Sequence, residues 1–213
     1  MLCPAAHSFR QRGKVLRPRR YDKVVTTNVL FTIGHSTHSI VEFIALLNAH
    51  GIHHLVDVRS IPKSRHVPQF NSDALASSLM AAGIACTHLK SLGGRRHSRK
   101  NSTNTGWRNT SFRGYADYMA TPQFAEGLAE LTRIADTGPT AIMCAEALPW
   151  RCHRSLIADA LILKGWQVRD ILTAAPPAVH KLTPFLKVLD NQPAYPDPDK
   201  PASLFPEGQS NLN

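Results

Sequence analysis

The segment MCAEALPWRCHR, residues 143–154, holds two thiols, a carboxylate, an imidazole and two guanidinium groups within one short stretch. A cysteine attacks as its thiolate, and nearby positive charge or a helix N-terminus lowers the pKa that controls its ionisation. Cys152 stands directly before an apolar helical pattern, and its basic neighbours are Arg151, His153 and Arg154. We therefore predict Cys152 as the first candidate nucleophile and Cys144 as the second.

Proton transfer in such a reaction needs an acid or base beside the thiol. Glu146 and His153 are the two candidates within the segment. A structural role is the alternative for the same residues, with the thiols as small core side chains and Glu146 paired with an arginine.

A metal site is a third interpretation of the segment. Cys144, Cys152 and His153, together with the distant His35, could supply four tetrahedral zinc ligands. Their spacing is not that of a standard zinc pair, and we expect the adjacent Cys152 and His153 to reach one ion poorly. We predict no resident metal, and the chain has neither a glycine-rich phosphate loop nor a dinucleotide fingerprint that would indicate a cofactor.

Polar residues also follow the first two predicted strands. NVLFTIG leads into His35 and Ser36 at the start of a helix, and LVDVRS places Asp57 and Arg59 at a strand end. Helix N-termini and arginines favour anions. The predicted substrate-binding residues are His35, Ser36, Asp57, Arg59, Arg65, Arg151 and Arg154. A tight turn at Gly34 and a structural Asp57–Arg59 ion pair are the alternatives.

The elements that must position these residues alternate between strand and helix patterns. Five strand patterns separated by helical ones predict a single α/β domain with a mainly parallel five-stranded sheet and helices on both faces. Such sheets bind ligands beyond the carboxyl ends of their strands. We divide the chain into a basic, disordered arm (1–23), the α/β domain (24–174), a proline-rich C-terminal hairpin or strap (175–198) and a loose tail (199–213).

Composition narrows the class of protein and its partners. The 213 residues are 43% hydrophobic, lack an apolar run long enough for a membrane span or a secretory signal, and include only four cysteines, so we expect a cytoplasmic protein without a membrane partner. The net charge of +10 predicts attraction to polyanions or to an anionic substrate. Residues 74–116 contain many basic and several aromatic side chains but no acid. That mixture suits phosphates and stacked bases, although a flexible loop that binds nothing specific has the same composition. The sequence does not predict any protein partner.

Two resemblances extend this reading. A strand, a thiol, a short loop and an arginine resemble the cysteine phosphatases and rhodaneses, although six residues rather than five separate Cys144 from Arg151 and the signature glycines are missing. The chain also resembles the domain of unknown function 488 family over roughly residues 28–195. The motifs that carry this similarity are TIGHSTHSIVEFIALLNAHGI, LVDVRSIPKSRHVPQFN, LGGRR, NTGWRNTSFRGYADYM and MCAEALPWRCHRSLIADAL. It implies an α/β fold and no agreed activity.

Two functional hypotheses remain. The first is an enzyme, a cysteine-dependent transferase or hydrolase, that holds a phosphate-bearing or other anionic substrate, a small molecule, nucleotide or nucleic acid, in a strand-end pocket rich in arginine. The second is a non-catalytic nucleic-acid-binding module in which the cysteine, glutamate, histidine and arginine cluster is structural.

Overall fold

The computed structural model describes residues 28–189 and 192–199. Its helices are α1 (Ile40–Ala49), α2 (Ser72–Ala81), α3 (Thr110–Met119), α4 (Pro122–Ala135) and α5 (Arg154–Leu163). Its strands are β1 (Val29–Gly34), β2 (His54–Asp57), β3 (Ala85–His88), β4 (Thr140–Cys144), β5 (Gln167–Ile171), β6 (Ala178–Val179), β7 (Lys187–Leu189) and β8 (Gln192–Ala194). The predicted arm and nearly all of the predicted tail lie outside the described residues.

Six strands form the main sheet in the order β3-β2-β4-β1-β5-β6. The first five are parallel, as the alternating sequence pattern predicts, and β6 pairs antiparallel with β5. The predicted α/β fold with a mainly parallel sheet is therefore confirmed, with one strand more than expected. The extra strand has only two residues and follows two prolines, so it leaves no alternating pattern in the sequence.

A separate antiparallel pair, β7 and β8, confirms the C-terminal hairpin.

Helices cover both faces of the sheet because successive strand side chains point in opposite directions. Helices α1 and α2 pack on a core that includes Ile33, Leu55 and Met143. Helices α3, α4 and α5 pack on the other face against Leu30, Val56 and Ile142. Burial of each such side chain stabilises the fold by about 1.5 to 3 kcal/mol.

Local residues fix both ends of α1. Ser39 and Glu42 form a capping box at its start, and Gly51 follows the helix with a φ of 61°. Helix α3 begins within residues 74–116, whose composition is also that of a flexible loop, so the loop interpretation is wrong for the last part of this segment. Gly114 interrupts its pattern, and the helix is held by the Asn109 cap and by packing of Tyr115 in the core.

None of the helices in the described ranges is both long and apolar enough to cross a bilayer.

The strand order brings three carboxyl ends together. Strand β4 lies between β1 and β2, and the chain continues this pairing past the strands: His35 N–H donates to Cys144 O at 3.0 Å, and Val58 N–H donates to Met143 O at 3.0 Å. The loops after β1, β2 and β4 are therefore neighbours at one edge.

Gly34 allows the closest of these approaches. A Cβ atom at this position would collide with the Glu146 carbonyl oxygen and the Ala147 Cα atom. Both are backbone atoms, so relief requires the loop after β4 to move.

Replacement of Gly34 by alanine tests this constraint. We expect Gly34→Ala to lower the free energy of unfolding by about 2 to 4 kcal/mol, measured by urea denaturation, because the new Cβ displaces backbone. Gly165→Ala is the control: it meets no atom within 4 Å and is strained only by its φ of 86°, a cost of about 1 to 2 kcal/mol. An equal or smaller loss for Gly34→Ala would show that the loop does not need this contact.

Candidate functional site: a thiol–imidazole pair in a cationic pocket

A pocket of about 500 Å³ opens at the edge where β1, β2 and β4 end. Its walls come from the loops after these strands and from the segment after β3. The lining includes His35, Arg59, Lys63, Gly94, Arg95, Ser111, Cys144, Glu146, Arg151, Cys152 and His153. The position agrees with the general rule for open parallel sheets.

His153 and the two cysteines form the base of the pocket. The Nδ1 atom of His153 lies 3.5 Å from Cys152 Sγ and 3.9 Å from Cys144 Sγ. The other ring nitrogen, Nε2, lies 3.0 Å from the Val58 carbonyl oxygen. A carbonyl only accepts, so Nε2 carries the hydrogen and Nδ1 is left to exchange a proton with the sulfurs.

The pKa values of the two thiols are shifted in opposite directions. Burial alone would raise the pKa of Cys152, but hydrogen bonds from Cys144 and His153 and the positive charges of His153 and Arg154 hold that pKa well below the ordinary thiol value. The pKa of Cys144 is raised, first by its hydrogen bond to Cys152 and then by burial. Cys144 therefore keeps its proton, which stabilises the Cys152 thiolate.

The position of Cys152 differs slightly from the predicted one. Helix α5 begins at Arg154 with His153 as its N-cap, so Cys152 precedes the helix instead of beginning it. Its carbonyl oxygen accepts hydrogen bonds from the Ser155 backbone and side chain at the first turn. The predicted location of the thiol beside a helix N-terminus holds.

Asp57 and Arg59 form a buried ion pair beside this base. Arg59 Nη2 lies 2.6 Å from Asp57 Oδ2, and Arg59 Nε donates to Asp57 Oδ1 at 2.9 Å. Arg59 also donates to the Phe70 carbonyl oxygen at 2.8 Å. The arginine lines the pocket, while the aspartate serves to hold it there.

His35 completes this group as a neutral imidazole. Its Nδ1 bonds to the Ser36 carbonyl oxygen at 2.9 Å, which leaves Nε2 to accept from Arg59 Nη1 at 3.3 Å. Burial, with a contribution from Arg59, lowers the pKa of His35 to about 4. Its ring stacks on Phe70 with centroids 4.2 Å apart.

Ser36 adopts a left-handed φ of 46° and donates its backbone N–H to Ala145 O at 2.9 Å. This hydrogen bond ties the strained turn at Ser36 to Ala145 and so fixes the loop that follows Cys144.

Arg154 fixes the same loop from the core side. It is 1% exposed, and its guanidinium donates to the carbonyl oxygens of Glu146 and Ala147 and to the Thr32 hydroxyl. The Thr32 hydroxyl in turn donates to Asp170 Oδ1 at 2.8 Å. Among the described residues, Arg154 thus reaches a carboxylate only through Thr32, and its positive charge acts on the pocket from the core side.

Three exposed cationic side chains, Lys63, Arg95 and Arg151, lie at the pocket rim. None of them pairs with a carboxylate of the described residues. Glu146 is exposed at the same mouth. The rim can therefore hold an anion above the Cys152 sulfur and still offer one carboxyl group for proton transfer.

The pocket collects seven of the eleven predicted site residues. They are His35, Arg59, Cys144, Glu146, Arg151, Cys152 and His153. Ser36, Asp57 and Arg154 support the pocket without lining it, and Arg65 is exposed outside its lining. Among the residues not predicted, Ser60 could have been found from its place just after β2. Gly94 comes from the loop after β3 and Ser111 from the first turn of α3, and the sequence does not indicate that either reaches the pocket.

Gly94 packs directly against the His153 ring, where any Cβ atom would collide with the imidazole.

Part of the basic segment has a structural role. Arg96 donates to the carbonyl oxygens of Ser91 and Gly93, and Arg113 donates to that of Trp107. Trp107 stacks on Phe112, with ring centroids 4.7 Å apart, and both rings pack against the core. These four side chains bond to backbone carbonyl groups or pack against the core. They therefore contribute less to a nucleic-acid surface than the composition of residues 74–116 predicts.

The fold and the pocket together define a class: α/β proteins that place a cysteine–histidine pair under a cationic rim at the carboxyl ends of a parallel sheet. The family model described as Domain of unknown function DUF488 matches residues 39–161, more than half of the 213-residue chain. The chain therefore belongs to the DUF488 family, as its motifs indicate. Neither the curated proteins nor the solved structures include a match.

The matched range contains α1 to most of α5, and so both thiols, whereas Gly34 and His35 lie before it.

Alkylation of the reduced, metal-free protein tests the acidity of Cys152. We expect the pH midpoint for iodoacetamide labelling of Cys152 to lie below that of an ordinary thiol, because a lowered pKa leaves thiolate present at lower pH. Desolvation and the negative charge of Asp57 raise the pKa of the exposed Cys86 to about 11, so this cysteine is the internal control and should label only at higher pH. Peptide mass spectrometry measures each site, and equal midpoints would contradict the assignment.

Asp57→Asn tests the buried ion pair. Loss of the carboxylate leaves Arg59 charged and buried, so the free energy of unfolding should fall by about 3 to 5 kcal/mol in urea denaturation. Glu130→Gln is the matched control because it breaks an exposed pair with Arg133 and should have little effect. Similar losses for the two variants would remove the structural role of the Asp57–Arg59 pair.

Proposed function

We propose that this DUF488 protein is a cysteine-dependent transferase or hydrolase that acts on an anionic substrate, with phosphate-bearing compounds as the first class to test. The observation that carries the proposal is the contact of His153 Nδ1 with Cys152 Sγ, 3.5 Å apart, at the base of a pocket whose rim has unpaired cations among the described residues. The lowered pKa of Cys152 supports it.

Each part of the pocket has a role in this reaction. The Cys152 thiolate attacks the electrophilic centre of the substrate, a new bond to Sγ forms, and the bond to the leaving group breaks. The leaving group takes the electron pair: with a phosphate-bearing substrate it is an oxygen, which also takes a proton for which Glu146 is positioned at the mouth, and with thiosulfate it is sulfite. Water or an acceptor then attacks the covalent intermediate and releases the thiolate.

Charge recognition follows from the rim. Lys63, Arg95 and Arg151 supply exposed donors that can reach an anionic group above the sulfur. Arg59 offers a fixed positive charge from the wall, because Asp57 holds its orientation. Neutral His35 keeps this arginine in place without adding a further charge.

A nucleotide or nucleic acid remains within this substrate class. The non-catalytic nucleic-acid module has weaker support, because Arg96 and Arg113 are bound to backbone carbonyl groups and Trp107 and Phe112 pack against the core.

Trapping of the covalent intermediate tests the proposal. Reduced, EDTA-treated protein is incubated with acetyl phosphate or, separately, thiosulfate, quenched in acid and analysed by peptide mass spectrometry. We expect one phosphoryl group or one sulfur atom on Cys152, abolished in Cys152→Ser and retained in Cys86→Ser. Arg151→Ala should reduce the rate of adduct formation about 10- to 100-fold, since a hydrogen bond to a charged group contributes about 1.5 to 3 kcal/mol.

Adducts spread equally over Cys86 and Cys152 would contradict nucleophilic selectivity, as would unchanged substrate turnover in a Cys144→Ala, Cys152→Ala double variant. DNA or RNA binding with steep salt dependence and no Cys152 adduct from either donor would favour the non-catalytic module.

A further inference from the structure

The donor atoms of Cys144, Cys152 and His153 all lie within 4.8 Å of one another. The expectation that adjacent Cys152 and His153 reach one ion poorly was therefore wrong. The chain turns before α5, so Cys152 Sγ and His153 Nδ1 face the same point and lie 3.5 Å apart. His35 does not belong to this cluster, because its two nitrogens bond to Ser36 and Arg59.

The spacing of the donors matches that of a tetrahedral zinc site. Zinc–sulfur bonds of about 2.3 Å and zinc–nitrogen bonds of about 2.0 to 2.1 Å place sulfur and nitrogen ligands about 3.5 Å apart, and two sulfurs about 3.8 Å apart. The two sulfur-to-Nδ1 distances are 3.5 and 3.9 Å. The two sulfurs lie within 4.8 Å of each other, so binding requires them to approach by at most about 1 Å.

The histidine is also oriented as a metal ligand needs to be. A ligating imidazole usually donates its second N–H to a carbonyl or carboxylate, which fixes the ring and the tautomer. His153 Nε2 makes this bond to Val58 O at 3.0 Å, and the ring is held between Gly94 and Tyr115. Nδ1 is thereby directed at the two sulfurs.

We propose that Cys144 Sγ, Cys152 Sγ and His153 Nδ1 bind one thiophilic divalent cation, Zn²⁺, and leave its fourth coordination position open to the pocket. Thiolate and imidazole are the donors that zinc prefers, and three protein ligands with one open position is the arrangement of catalytic zinc sites. Zinc displaces the Cys144 proton, and the two thiolates then cancel the charge of the ion, so the nearby arginines do not face a net positive centre.

Metal binding has a consequence for the thiol chemistry. The lone pair with which Cys152 attacks a substrate would be shared with the ion, so the zinc-loaded protein forms no covalent adduct until a chelator removes the metal. The zinc site does not depend on the proposed function. Only the loss of adduct formation in the zinc-loaded protein rests on that function.

Cobalt substitution tests the site. Reduced, EDTA-treated full-length protein is titrated with Co²⁺, which reports thiolate ligation through a charge-transfer band and tetrahedral geometry through intense visible bands. We expect both signals to saturate at one equivalent and to disappear when Zn²⁺ is added. Cys144→Ser, Cys152→Ser and His153→Ala should each weaken binding more than about 100-fold, beyond the 10- to 100-fold typical of an outer-shell change. Cys86→Ser should bind as the wild type does.

Protection in the wild-type protein gives a measurement that does not depend on the folding of variants. One equivalent of Zn²⁺ should block alkylation of Cys144 and Cys152 but not of Cys86. Spectra without thiolate charge transfer, or equal labelling of Cys152 with and without zinc, would overturn the proposal. If metal-free protein forms the Cys152 adduct but Co²⁺ does not bind, the zinc site alone is refuted. If Co²⁺ binds but metal-free protein forms no Cys152 adduct, the thiol enzyme alone is refuted.

Discussion

The hydrogen bond from His153 Nε2 to the Val58 carbonyl oxygen determines the chemistry of the site. It ties the residue before α5 to the end of β2 across the pocket and assigns the ring hydrogen to Nε2. Nδ1 is then the only ring atom that faces the sulfurs, at 3.5 and 3.9 Å. Without this bond the ring could turn, and neither a thiolate–imidazole pair nor a three-ligand metal site would be prepared in advance.

The surrounding fold keeps that arrangement in place at an energetic cost. Arg59 is buried because Asp57 pairs with it, and Arg154 is buried because it satisfies carbonyl oxygens of the loop after β4. Buried charges of this kind contribute little net stability, and loss of one partner destabilises the protein strongly. Arg154 fixes the loop after Cys144, which Gly34 and the strained Ser36 approach from β1, and the Asp57–Arg59 pair fixes the wall beside His35.

Sequence reasoning reached the sheet class and most of the pocket because the reactive residues directly follow strands. Cys144 ends β4, His35 and Arg59 follow the ends of β1 and β2, and parallel strands share one carboxyl edge. The sequence does not indicate the strand order, which places β4 between β1 and β2. It also does not indicate helix α3, which tertiary packing stabilises. The prediction that adjacent Cys152 and His153 reach one point poorly was a statement about spacing along the chain, whereas the turn before α5 decides their geometry.

The protonation state of Cys152 tests the central claim most directly. In reduced, metal-free protein labelled with ¹³C at cysteine Cβ, the Cys152 resonance should pass to its thiolate position at a pH below that of a free thiol. His153→Ala should move this midpoint upward, because the variant removes a hydrogen bond and a positive charge that lower the pKa of Cys152. A wild-type midpoint at or above the ordinary thiol value, unchanged in His153→Ala, would contradict the thiol–imidazole pair.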